Sequence, residues 1–235
     1  TARVWDAATG KLLHTLKGHE DMVDSVVFSP NGKQLATASW DKTARVWNAA
    51  TGELLYTLKG HKNVVRSVVF SPDSKLLATA SWGKTARVWD ATTGKLLHTL
   101  KGHEDRVNSV VFSPNGKQLA TASDDKTARV WDAATGKLLH TLKGHEDMVD
   151  SVVFSPNGKQ LATASWDKTA RVWNAATGEL LYTLKGHKNV VRSVVFSPDS
   201  KLLATASWGK TARVWDATTG KLLHTLKGHE DRVNS

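Results

Sequence analysis

A block of 42 residues recurs along the whole chain, and this regularity limits the possible folds more than any other feature. Thr-Ala-Arg-Val-Trp starts at Thr1, Thr43, Thr85, Thr127, Thr169 and Thr211. Gly-His closes at His19, His61, His103, His145, His187 and His229. A module of this size cannot bury its own apolar faces, so its copies must stack on one another. A longer period overlies the short one. Residues 1–109 and 127–235 are identical at every position, so the copied unit is 126 residues and holds three distinct repeats. Independent drift leaves differences between copies, so the identity points either to recent amplification or to design. Six short periods would take 252 residues, 17 more than the 235 present. The count predicts one repeat-built domain over 1–235 that is a piece of a longer closed ring.

Residues 23–58 show how one unit reads. Val23-Asp24-Ser25-Val26-Val27-Phe28 is rich in β-branched and aromatic residues, which suits a strand. Ser29-Pro30-Asn31-Gly32 ends it as a tight turn, because Pro presets φ and Gly accepts a positive one. Leu35-Ala36-Thr37-Ala38-Ser39 is a second strand, whose small side chains suit close sheets on both faces. Asp41-Lys42 turns the chain into a third strand over residues 43–47. Ala49-Ala50-Thr51-Gly52 turns it into a fourth over residues 54–58. The unit is therefore an antiparallel four-stranded meander, and the fold class is all-β.

The pattern Gly-His … Ser-Val-Val-Phe-Ser-Pro-Asn-Gly … Leu-Ala-Thr-Ala-Ser-Trp-Asp-Lys-Thr … Val-Trp-Asn resembles the WD-repeat (WD40) β-propeller family over the whole chain. The resemblance implies blades that run from inner to outer strand. It places five whole blades in residues 23–226 and the outer half of another in residues 1–16. It also implies a ring closed by joining both termini in one mixed blade. Six, seven, eight or nine blades are all compatible with the sequence. Near-identical neighbours also invite strand-swapped or self-associated oligomers.

Ser, His and Asp recur together, which raises a catalytic triad for consideration. A triad needs one exposed, strained nucleophile beside an oxyanion hole, whereas this set returns in nearly every repeat beside a Trp. The family resemblance implies instead a structural hydrogen-bond chain from Trp through Ser and His to Asp. Its members are Trp47, Ser39, His19 and Asp41; Trp131, Ser123, His103 and Asp125; and Trp173, Ser165, His145 and Asp167. A buried indole N–H needs an acceptor, and a hydroxyl accepts from it and donates onward. Thr37 shares a strand face with Ser39 and offers the same chemistry. The Asp column holds Gly83 and Gly209, so two chains are expected to end at His61 and His187. Those blades should be looser, with faster amide exchange around Trp89 than around Trp131.

Composition adds mainly exclusions. The net charge of +10 would suit a polyanion. However, Arg3, Lys17, Lys33 and Lys42 recur at fixed columns and spread the charge rather than gather it, which argues against nucleic acid. No apolar run reaches the ~18–20 residues of a membrane span. The chain has no Cys, which excludes disulfides and thiolate chemistry and fits either a reducing cytosol or a Cys-free design. No cofactor is expected. His14 and His19 are not spaced as zinc ligands, and no phosphate-cradling Gly loop is present.

The three repeats differ at 13 of 42 columns, and several of these cluster. Glu20/Lys62/Glu104, Asp21/Asn63/Asp105, Met22/Val64/Arg106 and Asp24/Arg66/Asn108 lie in or just after the Gly-His loop. Trp40/Trp82/Asp124 and Asp41/Gly83/Asp125 lie in the turn after the second strand. In the family these two connections share the top face, and binding residues gather on loops held by a rigid scaffold. Trp40, Trp82, Trp166 and Trp208, with Arg66, Arg106 and Arg192, resemble an interaction hot spot. Trp with Arg equally suits stacked single-stranded bases or a caged cation, and the bland alternatives are a Trp that caps its blade edge, or one copied passively from a parent blade. Asp124 interrupts the aromatic series, and Asp24, Arg66 and Asn108 alternate in charge, which suits a protein or peptide partner. The expected function is a non-catalytic scaffold binding protein or peptide; the alternative is an engineered or amplified propeller with no selected ligand. The outer-strand column His14/Tyr56/His98 is expected to face solvent or a neighbouring blade.

Overall fold

The computed structural model describes residues 1–234. Twenty-two strands and no helix occur among them. They divide into two compact units, one over residues 1–102 and one from His103 onward.

In the first unit, β1 (Ala2–Trp5) and β2 (Leu12–Leu16) form a two-stranded sheet. Two four-stranded antiparallel meanders follow. One comprises β3 (Val23–Phe28), β4 (Gln34–Ser39), β5 (Ala44–Asn48) and β6 (Leu54–Leu58). The other comprises β7 (Val65–Phe70), β8 (Leu76–Ser81), β9 (Thr85–Asp90) and β10 (Leu96–Leu100). In the second unit there are three meanders: β11 (Val107–Phe112) to β14 (Leu138–Leu142), β15 (Val149–Phe154) to β18 (Leu180–Leu184), and β19 (Val191–Phe196) to β22 (Leu222–Leu226). The five whole blades and the partial one expected from the sequence are therefore present, with strand limits within a residue of those read from residues 23–58.

The core lies between successive sheets, as the small residues of the second strand require. Ala36, Ala38, Ala44, Val46 and Leu58 of β3–β6 pack on Val65, Val68, Phe70, Leu77 and Trp89 of the next sheet. Leu16 packs on Leu35 and Trp47 in the same way. In the second unit Ala120, Ala122 and Val130 meet Val149, Val152, Leu161 and Trp173, and the pattern repeats one sheet later. Second strands are buried on both faces except over Leu202–Ser207 of the last sheet, where burial alternates, while Leu54 and Leu55 of the fourth strand are exposed. Burial thus peaks at the second strand and is lowest at the fourth. One break in this pattern is informative. Val26 is 57% exposed, whereas the equivalent Val68 is 1% exposed. The β1–β2 pair covers the outer part of the β3–β6 sheet but supplies no first strand to cover β3.

Two glycine columns are fixed by neighbours. A Cβ on Gly52, whose φ is +73°, would stand 2.8 Å from Cγ of His14 in the preceding sheet. His14 Nε2 also lies 2.9 Å from the Ala50 carbonyl. In the next repeat the Tyr56 hydroxyl donates to the Ala91 carbonyl. The outer-strand His/Tyr column is therefore a contact between neighbouring sheets. At Gly18, whose φ is +141°, a Cβ would fall on the Arg45 guanidinium.

Candidate functional site

The two variable connections lie side by side because the backbone joins them. The Trp40 N–H donates to the Met22 carbonyl at 2.9 Å, and the Trp82 N–H to the Val64 carbonyl at 3.0 Å. The first residues of the inner strand and the turn after the second strand thus share one end of the sheet.

On that end, four side chains from two neighbouring sheets form one cluster. The Trp40 indole Nε1–H donates to Asp24 Oδ2 at 2.5 Å. Arg66 Nη1 donates to the same oxygen. The Arg66 guanidinium lies 5.5 Å from the Trp82 ring centre, within cation–π range. Trp40 and Trp82 meet at 5.6 Å between centroids, tilted by 54°. The Asp24 and Arg66 side chains are 22% and 28% exposed. Acid and base in this column therefore neutralise each other instead of presenting separate charged spots. Met22, beside the cluster, is exposed.

The second unit repeats this geometry. Trp166 Nε1 donates to Asp150 Oδ2 at 2.5 Å, Arg192 joins the same carboxylate, and Trp166 lies 5.5 Å from Trp208. Trp208 takes two guanidinium groups, Arg192 at 5.3 Å and Arg232 at 4.4 Å. Where Asp124 replaces Trp, the surface changes character. Asn108 Nδ2 donates to Asp124 Oδ1 at 2.6 Å, and the Asp124 N–H reaches the Arg106 carbonyl at 2.9 Å. Burial pushes the Asp124 carboxyl above its ordinary pKa, against the hydrogen bond from Asn108. Asp105, Arg106, Asp124, Lys126, Asp147 and Met148 line an open hollow of about 410 Å³ there. The variable residues thus form two kinds of surface, one aromatic with a carboxylate-paired guanidinium, one polar and concave.

The buried chain behind this end corrects the sequence reading at one link. The hydroxyl between Trp and His belongs to Thr37, not Ser39. Trp47 Nε1 donates to Thr37 Oγ1 at 3.0 Å, and His19 Nε2 lies 2.7 Å from the same oxygen. His19 Nδ1 then meets Asp41 Oδ2 at 2.7 Å. Thr121 replaces Ser123, and Thr163 replaces Ser165, in the same role. Strand register is the reason. Leu35 pairs with Trp47 across the strands, and Thr37 is the next residue on that face, within diagonal reach of the indole. Ser39 lies two residues further on. Its hydroxyl donates to the Asp21 carbonyl at 3.4 Å and accepts the Asp41 N–H at 3.1 Å, so it shapes the turn.

The carboxylate at the end of the chain is held by several donors. Asp41 also accepts the Glu20 N–H at 3.2 Å, the Thr43 N–H at 2.9 Å and the Thr43 hydroxyl at 2.6 Å. Burial alone would raise its pKa, but the hydrogen bonds from Thr43 and His19 outweigh it and hold the carboxyl at about 2. Asp125 and Asp167 are lowered in the same way, with His103 and His145 the largest stabilising partners. No nucleophile is exposed in this arrangement, because the Thr, His and Trp side chains are buried. Among the described residues, no group of three or more His, Asp or Glu side chains is arranged to hold a metal ion.

Asp24, with Met22 a candidate of the loop end from its variable column and its charge, is the shared acceptor that joins the two sheets. Asp150 has the same role in the second unit, and Thr37, which the sequence offers as an alternative to Ser39, is the connecting hydroxyl. The sequence signal for Thr37 was its position on the indole's strand face.

The family described as "WD40: WD domain, G-beta repeat" matches residues 10–48, 52–90, 94–132, 136–174 and 178–216. Curated relatives match over single repeats. Periodic tryptophan protein 2 of Saccharomyces cerevisiae is 52% identical over 40 residues, which is 17% of this chain and 4% of that protein. Coronin-7 of Mus musculus is 49% identical over 41 residues, 17% and 4% of the two chains. The guanine nucleotide-binding protein subunit beta of Schizosaccharomyces pombe is 40% identical over 42 residues, 18% and 14%.

Proposed function

Because the chain belongs to the WD40 (WD domain, G-beta repeat) family, we propose that it is a non-catalytic scaffold that binds a protein or peptide through the loop end carrying Trp40 and Trp82. One observation carries the proposal. Asp24, Trp40, Arg66 and Trp82 form an aromatic and guanidinium platform, half-buried and built from two sheets, and Asp150, Trp166, Arg192 and Trp208 form its twin. Trp and Arg anchors held by rigid neighbours lose little freedom on binding and dominate interface energetics. Pairing Arg66 with Asp24 leaves the platform nearly neutral, which favours a polypeptide over a polyanion. One relative is by its name a subunit of a larger protein, which is in keeping with a role in assembly.

The test is capture of partners on the immobilised chain and on a Trp40→Ala/Trp166→Ala variant of unchanged thermal stability. Polypeptides retained by the parent and lost by the variant support the assignment. Equal retention by both removes it. If neither chain retains anything, the second reading gains: an engineered or recently amplified propeller with no selected ligand. That reading rests on the identity of residues 1–109 with 127–235.

A further inference from the structure

One junction between sheets of the second unit lacks side chains that bridge its counterpart in the first. The counterpart lies between the β3–β6 and β7–β10 sheets, at the end that carries the turns after the first and third strands. There the Asn31 N–H donates to Ser74 Oγ at 3.2 Å. Gln34 Nε2 donates to the Ala91 carbonyl at 3.2 Å and to the Tyr56 hydroxyl at 3.3 Å. The bridges recur between β15–β18 and β19–β22. Asn157 N–H donates to Ser200 Oγ at 3.1 Å, and Gln160 Nε2 to the Ala217 carbonyl at 3.0 Å.

Around the junction between β11–β14 and β15–β18, four positions differ. Gly158 stands where Ser74 does, His140 where Tyr56 does, Ala176 where Thr92 does, and Asp132 where Asn48 does. Three side chains are smaller, and the fourth brings a carboxylate. The turn that holds the donors is unchanged. Ser113 Oγ donates to Asn115 Oδ1 at 2.8 Å and Gly116 N–H to the Ser113 carbonyl at 2.8 Å, the same distances as for Ser29, Asn31 and Gly32. The Asn115 N–H therefore points as that of Asn31 does, but toward a residue with no hydroxyl. His140 Nε2 lies 3.0 Å from the Ala176 carbonyl, so no phenol reaches Gln118. Asn115, Gln118, Asp132, Leu139 and Gly158 line an open hollow of about 400 Å³ here.

The lining is mixed in a specific way. Lys117 and Asp132 are opposite in charge, so the hollow has no net preference for an ion. The Asn115 N–H and the Gln118 amide donate, the Asp132 carboxylate accepts, and Leu139 and Ala175 are apolar. A sugar ring offers the matching set, since its hydroxyls both donate and accept and its C–H face is apolar. Hollows of this volume take small ligands. We propose that this hollow binds a neutral polyhydroxyl ligand the size of one pyranose ring, with a ring hydroxyl in the place that Ser74 Oγ takes in the first unit. That hydroxyl accepts from Asn115 and Gln118, a neighbouring hydroxyl donates to Asp132, and the C–H face lies on Leu139. This combination of residues occurs once in the sequence, so one ligand binds per chain.

The test is titration of the ¹⁵N-labelled full chain with D-glucose, D-galactose and N-acetyl-D-glucosamine, followed at the Asn115 backbone amide and the Gln118 side-chain amide. At least one sugar should shift both signals to saturation, with a Kd of about 1–10 mM, as suits a ligand of so few atoms. Gly158→Ser copies position 74, where Ser already adopts a φ of 61° against 71° at Gly158. A Cβ on Gly158 meets nothing nearer than Pro114 Cδ at 3.8 Å, so the variant fits. It supplies the hydroxyl from within and should abolish the response. Asp132→Asn copies position 48 and should weaken binding by roughly tenfold, through loss of the charged acceptor. Shifts that rise without saturation for all three sugars mean that water alone fills the hollow, and overturn the proposal. So does an affinity in either variant equal to that of the parent.

Discussion

The Thr37 hydroxyl accepts the indole N–H of Trp47 at 3.0 Å, and this one bond decides how the buried chain is connected. Thr37 is fully buried, so neither partner has water as a substitute. The equivalent Thr163 and Ser165 allow a direct comparison. Thr163→Val keeps the shape but strands both the Trp173 indole and His145 Nε2. It should cost about 2–4 kcal/mol by urea denaturation, as two buried groups lose their partners. Ser165→Ala removes only turn bonds and should cost about 1 kcal/mol. The reverse order would show that the link is misassigned.

Acid should weaken the protein through the two incomplete chains. Burial, aided by Arg87, pushes His61 down to about 3, and burial with Arg213 pushes His187 down to about 4. In the unfolded chain each accepts a proton below about pH 6.5. Protonation therefore favours unfolding. The contribution of the neutral histidines is complete above pH 6.5 and declines as pH falls toward 4, by up to about 1.4 kcal/mol per pH unit for each. Asp41, held at about 2, acts in a lower window: its stabilisation is present above the ordinary carboxylate pKa and is lost as pH falls through 2. Urea midpoints at pH 7, 5.5 and 4.5 check the first window. A Gly83→Asp/Gly209→Asp variant should lose less across it, because a carboxylate beside each imidazole favours its charged form.

Lys168 has a φ of 69°, and Lys42, Lys84, Lys126 and Lys210 share this left-handed geometry. A side chain costs about 1–2 kcal/mol in that region, and glycine does not. Lys168→Gly should therefore stabilise the protein by about 0.5–1 kcal/mol, after allowing for the freer unfolded chain. A drop in the denaturation midpoint would show that the lysine side chain has a role of its own.

Gly52 and Gly32 have nearly equal φ values, +73° and +69°, but different surroundings. A Cβ on Gly32 meets nothing within 4 Å, whereas on Gly52 it stands 2.8 Å from His14. Both Ala substitutions carry the left-handed penalty. Gly52→Ala adds overpacking between sheets, worth roughly 1–3 kcal/mol more. Equal losses for the two variants would place no constraint on the outer edge of the sheet contact.

The sequence by itself determined the strand meander, because each repeat carries β-branched runs and turn residues at fixed spacing. It also fixed the positions allowed to vary, since identical copies leave few such columns. Loss of the carboxylate at Gly83 was equally legible, because one missing functional group stands out against a repeated background. Tertiary structure decided the partners. Thr37 rather than Ser39 receives the indole because cross-strand register, not residue type, sets which hydroxyl lies within reach. Asp24 joins Trp40 to Arg66 only because two sheets stack with their first strands adjacent, and that stacking brings together residues 42 apart in the chain. Periodicity specifies what each sheet contains, but contacts between sheets depend on the packing distance and angle, which no single repeat encodes.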